Sequence, residues 1–168
     1  MKKLSIILLL LAACFSSCEK DDICSETTET TPRLIIDFYD FTNPTLTKNV
    51  TNLGILGDGL DTVILFNGVS QVSVPLDITK DFSKYQFILN YNNSNPVFIN
   101  TDLLQFDYSR NSVFVSRACG YKMLFELNPT TPFTQTDEPG NDGLWMKNIT
   151  LLQSNISNEN DTHLRISF

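Results

Sequence analysis

Thiols are the most reactive side chains in this sequence, and there are four of them: Cys14, Cys18, Cys24 and Cys119. A thiol can be acylated, oxidised, used as a nucleophile or bound to a metal, and its neighbours decide which. Cys18 closes the run Phe15-Ser16-Ser17-Cys18, behind a basic Lys2-Lys3 pair and an apolar stretch from Leu4 to Ala13 broken only by Ser5. That layout is a lipoprotein signal peptide, residues 1–17, and the stretch is too short for a membrane span of about 20 residues. Small residues before the cysteine fit the signal peptidase, and the thiol accepts a diacylglyceryl group. Two or three acyl chains then anchor firmly where one would be marginal. Leu11-Ala12-Ala13-Cys14 is the rival site and, taken alone, looks more like a standard lipobox. The acidic patch Glu19-Lys20-Asp21-Asp22, directly after Cys18, favours lipidation at Cys18.

Cys14 is expected to leave with the signal, so Cys24 and Cys119 remain. In an oxidising envelope two leftover cysteines are expected to pair, the alternative being two inert buried thiols. The bridge would close a loop of 119 − 24 = 95 residues, worth roughly 4 to 5 kcal/mol by chain entropy. Its expected position joins a tether to the core, not two core strands. No metal site and no cofactor are expected, because the single histidine is His163 and no Cys-x-x-Cys occurs.

Catalytic residues are not expected either. A nucleophilic triad needs a base, and His163 alternates out of phase with Leu164, Ile166 and Phe168, as a solvent-facing strand residue would. The acids lie mostly in turns, at Asp58, Asp61, Asp137, Glu138 and Asp142, and Gly57-Asp58-Gly59 and Gly140-Asn141-Asp142-Gly143 lack the ligand spacing of a calcium loop. Trp145, the only tryptophan, reads as core; exposed, it would be a candidate ligand contact for a sugar or a protein.

These residues must be positioned by strands. From Pro32 the dominant period is two. Leu34, Ile36 and Phe38 alternate; Val63 to Phe66 is apolar on both faces and reads as a central strand; Val72, Val74 and Leu76 share a face, with Pro75 marking an edge. Tyr85, Phe87, Leu89 and Tyr91 alternate, as do Leu104, Phe106 and Tyr108. A hairpin is expected to turn at Arg110-Asn111 and return through Ser112 to Arg117, followed by a strand from Met123 to Leu127. Residues 128–143 read as a loop, and Ile149–Leu152 as the partner of Leu164–Phe168. Leu164-Ile166-Phe168 resembles the last strand of an outer-membrane barrel, but strands this short make a buried edge strand the simpler reading. The expected architecture is all-β, an antiparallel β-sandwich, immunoglobulin-like or related, over residues 32–168, with residues 18–31 as a lipidated polar tether.

Asp21-Asp22-Ile23-Cys24, Thr31-Pro32-Arg33-Leu34-Ile35-Ile36, Phe38-Tyr39-Asp40 and Val115-Ser116-Arg117-Ala118-Cys119-Gly120-Tyr121-Lys122 together resemble a family of Bacteroidota lipoproteins known only as a domain of unknown function. The resemblance covers essentially the whole mature chain. It implies an envelope address and the pairing of Cys24 with Cys119, and supplies no activity. Cys-x-Lys-Asp-Asp resembles the signal that exports Bacteroidota lipoproteins to the cell surface, which gives Glu19, Lys20, Asp21 and Asp22 that role. Asp61-Thr62-Val63 resembles a short O-glycosylation motif of the same bacteria, making Thr62 a candidate acceptor.

The formal charge is −7, and loss of Lys2 and Lys3 makes it −7 − 2 = −9. Such a surface opposes nucleic acid and anionic lipid as partners. The expected protein is lipid-anchored in the outer membrane, facing the cell surface, and binds another envelope protein without catalysis. A glycan-binding accessory module, using Trp145 and residues 129–143, is the alternative.

Overall fold

The computed structural model describes residues 23–137, 139–140 and 142–168. Cys18 and the patch Glu19 to Asp22 lie outside them. The described chain forms two compact units, residues 23–30 with 112–122, and Thr31–Asn111 with Met123–Phe168.

The larger unit is an all-β sandwich. Its smaller sheet has the order β4-β1-β11-β9: Gln71–Val74, Leu34–Tyr39, Leu164–Ser167 and Asn148–Leu151. The larger sheet runs β10-β7-β6-β5-β2-β3: Asn155–Ile156, Gly120–Leu127, Asn100–Ser116, Phe82–Leu89, Leu53–Gly57 and Val63–Phe66. A further strand, β8 (Phe133–Thr136), also pairs with β6. Alternation buries one face of each sheet against the other. Leu34, Ile36 and Phe38 of β1 meet Leu53, Ile55, Phe87, Leu104 and Phe106 of the opposite sheet in one core. Each such side chain fully removed from water stabilises the fold by roughly 1.5–3 kcal/mol.

Several expectations are corrected. β1 and β11 run parallel, with Ile36 beside Leu164 and Phe38 beside Ile166, whereas the other registers among the described residues are antiparallel. The last strand is therefore inserted between β1 and β9 and is not an edge. The hairpin does not turn at Arg110-Asn111; β6 continues to Ser116 and β7 starts at Gly120. Arg110 is tied along the strand by Asp81 at 2.7 Å, whereas Gly120 adopts φ +71°, a left-handed conformation that a side chain resists. Residues 128–143 are not all loop, because Phe133–Thr136 pairs with Leu103–Phe106. Val63–Phe66 is an edge strand, not a central one.

In the smaller unit Cys24 and Cys119 are joined by a disulfide, with Cα atoms 4.9 Å apart. It connects the segment ahead of β1 to the turn between β6 and β7. Lys122 Nζ meets Glu29 Oε2 at 2.6 Å alongside.

His163 is also corrected. It is completely buried, not solvent-facing. The Ile35 N–H donates to its Nδ1 at 2.9 Å, and the His163 backbone N–H donates to the Ile35 carbonyl at 3.0 Å. An Nδ1 that accepts carries no proton, so the ring is neutral with its proton on Nε2. Burial pushes its pKa below the ordinary 6.5, against the opposing pull of Asp161 and Glu159. The unfolded state therefore binds the proton first, so this contribution is complete above pH 6.5 and is lost as pH falls through the depressed folded value. Urea melts across a pH series should show stability declining below pH 6.5. His163→Asn, which keeps an acceptor near Nδ1 and cannot titrate, should flatten that decline while lowering stability at every pH. An equally steep decline in the variant would assign it to other groups.

Candidate functional site

Trp145, expected in the core, and His163, expected at the surface, are both buried, so neither is open to a ligand. Trp145 is only 5% exposed, so it has no face to offer a sugar. Its indole N–H donates to the Phe87 carbonyl at 2.9 Å, and its ring packs on Phe38 and Phe168. Asp102 explains the placement. This fully buried carboxylate accepts the backbone N–H groups of Trp145 at 3.2 Å and Met146 at 2.9 Å, and the Gln135 amide at 2.9 Å. Burial pushes the Asp102 carboxyl up, and those three donors pull it back. His163 is the second residue withdrawn from solvent, as a backbone partner of β1.

The surface is different at β3. This strand ends the larger sheet, pairing on one side with β2 through Gly54 beside Leu65 and Ile55 beside Ile64. Among the described residues no strand pairs its other side. Ile64 is 43% exposed and Leu65 59%. Edge strands are usually blunted by lysine, proline, a bulge or brevity. Val63-Ile64-Leu65-Phe66 is short but has none of the other devices, while the β4 edge runs into Pro75 and β10 is two residues long. Thr62, directly ahead of β3, is exposed.

Beside this edge lies a hollow of about 350 Å³ lined by Asn52, Leu65, Phe66, Asn67, Tyr91 and Asn92. Its wall is built by turn chemistry. Asn52, Asn90 and Asn92 all adopt positive φ, at 49°, 55° and 63°, a region asparagine tolerates better than most residues. The Tyr91 N–H donates to the Asn52 carbonyl at 2.7 Å, and the Asn67 side chain accepts the Asn52 N–H at 3.2 Å. Gly54 makes room for the tyrosine ring: a Cβ there would stand 2.9 Å from Tyr91 Cγ and 3.0 Å from Val63 Cγ1. The lining combines apolar Leu65, Phe66 and Tyr91 with the amides of Asn52, Asn67 and Asn92, chemistry suited to an extended peptide.

A second hollow of about 240 Å³ is lined by Asp58, Asp77, Lys80, Lys84 and Tyr85, among others. Its charges face one another, with Lys80 and Asp77 3.8 Å apart, and burial pushes the Tyr85 hydroxyl up to about 12. Among the described residues no three histidine, cysteine or acidic side chains come together to hold a metal, and no described helix is long and apolar enough to cross a membrane.

Asp102 left a signal in the sequence: it is in phase with Leu104, Phe106 and Tyr108, on the buried face of β6. The β3 edge left none, since an apolar tetrapeptide reads alike at the centre and the edge of a sheet.

The chain belongs to a family of unknown function, DUF6452, whose sequence model matches residues 52–168. That span includes Cys119 and begins after Cys24, so the segments around Asp21–Cys24 and Thr31–Ile36 lie outside it. No curated protein and no solved structure matches the chain significantly.

The close approach at Gly54 predicts coupling. Gly54→Ala should destabilise by about 1–3 kcal/mol, because Tyr91 must move. In a Tyr91→Ala background the same substitution should be markedly less harmful. Chemical denaturation of the four-member cycle checks this, and strictly additive effects would mean that Gly54 is not reserved for the tyrosine.

Proposed function

We propose that this protein is a lipid-anchored, non-catalytic binding module of a Bacteroidota outer membrane, held at the cell surface through Cys18, which docks another envelope protein along β3. The observation that carries the docking part is the unblunted apolar edge of Val63–Phe66, flanked by the Tyr91 hollow. An extended segment of the partner adds to the sheet by main-chain hydrogen bonds and places a side chain in the hollow. The anchoring part rests on Lys2-Lys3, the apolar run and Phe15-Ser16-Ser17-Cys18, with Glu19 to Asp22 as the export signal. Thr62, exposed beside the edge, is the candidate glycan acceptor of this surface. The glycan-binding alternative loses its main contact with Trp145 buried.

Native-membrane crosslinking and pull-down in mild detergent test the reading. Wild-type protein should recover a discrete envelope protein, and Ile64→Lys/Leu65→Lys should reduce that recovery at least about tenfold. Because both side chains are substantially exposed, stability should change by no more than about 1 kcal/mol. Recovery undiminished by the lysines, or no partner from wild type, overturns docking at β3.

A further inference from the structure

We infer that the β6–β7 hairpin end, with Ile23, Phe114 and Tyr121, lies in the headgroup–acyl boundary of the membrane that holds the anchor. This inference rests on the lipid-anchored reading proposed above. Scattered exposed apolar residues need no explanation, but these three belong to one small unit, residues 23–30 with 112–122. Ile23 is 84% exposed, Tyr121 70% and Phe114 55%, and the two aromatic rings form an edge-on pair with centroids 5.3 Å apart.

Chain length decides what covers them. From Cys18 to Cys24 there are six residue steps, which reach at most about 20 Å even fully extended. Cys24 is bonded to Cys119 in the turn between β6 and β7. An acylated Cys18 therefore keeps the aromatic hairpin end close to the bilayer surface, and the disulfide prevents its escape. The side chains suit that depth. A tyrosine offers an apolar body and a polar tip, and Arg117, exposed at the turn, can extend its charge to headgroup level while its stem stays in contact with lipid. The negative charge of the whole chain points to a zwitterionic surface as the favourable one.

The test uses full-length processed protein, reconstituted in phosphatidylcholine vesicles with or without bromine on the acyl chains. Tyr121→Trp and, separately, Phe114→Trp report depth over the constant background of buried Trp145, while mass spectrometry of the same samples locates the acyl group. The introduced tryptophan should shift to shorter wavelength on reconstitution and lose most of its emission in brominated vesicles. Adding Cys24→Ala/Cys119→Ala should keep the anchor and abolish most of that quenching. Acylated Cys18 with an unquenched tryptophan in both reporters overturns this inference and leaves the anchor reading intact. Quenching that persists without the bridge overturns the role given to the disulfide. An acyl group on Cys14, or none, overturns the anchor reading and this inference with it.

Discussion

A carboxylate buried at Asp102 has to be met by donors, and the way it is met organises the core. A buried charge left unpaired is among the most destabilising features a fold can carry. Here the backbone N–H groups of Trp145 and Met146 and the Gln135 amide supply the partners. Gln135 also donates to the Met146 carbonyl at 2.9 Å, so the segment entering β9 is held to both β6 and β8. Two large side chains, Trp145 and Met146, are thereby drawn into the interior, where Trp145 packs on Phe38 and Phe168.

The consequence reaches the surface. With its only tryptophan and its only histidine committed to the interior, the described chain around β3 offers recognition chemistry of a plainer sort: an open strand edge, exposed aliphatic groups and asparagine amides. Strand addition needs no more than this, because main-chain groups supply affinity and a hollow beside the edge supplies selectivity. Gly54 and the left-handed asparagines give the hollow its form through close approach and turn geometry, and the proposed docking needs no convergent polar cluster.

Much of the sandwich is legible in the residues themselves. The alternations at Leu34–Phe38, Tyr85–Leu89 and Leu104–Tyr108 identify strands because a half-buried strand must repeat every two residues. The final pairing of Ile149–Leu152 with Leu164–Phe168 follows from the same rule, and Cys24–Cys119 from the expectation that two cysteines remain in an oxidising envelope. Position within a sheet is another matter. Val63–Phe66 looks central because both faces are apolar, yet only the pairing of β2 with β5 shows that one side of β3 is left over. The parallel insertion of β11 beside β1 depends on contacts more than a hundred residues apart. His163 misleads because alternation is a rule about strands, and it stands just ahead of β11, where the need of the Ile35 N–H for an acceptor prevails. Asp102 was readable by phase, but a lone acid among apolar neighbours announces a buried partner only once Trp145 and Met146 are known to approach it.

Because Trp145 is the only tryptophan, its fluorescence tests the Asp102 clamp directly. In the native protein it should emit at short wavelength and resist quenching by acrylamide. Asp102→Ala should shift the emission towards that of solvent-exposed indole, raise its quenching and lower the melting temperature together. A folded wild-type protein whose tryptophan is quenched as readily as free indole, or an Asp102→Ala variant that leaves emission and quenching unchanged, would contradict the account.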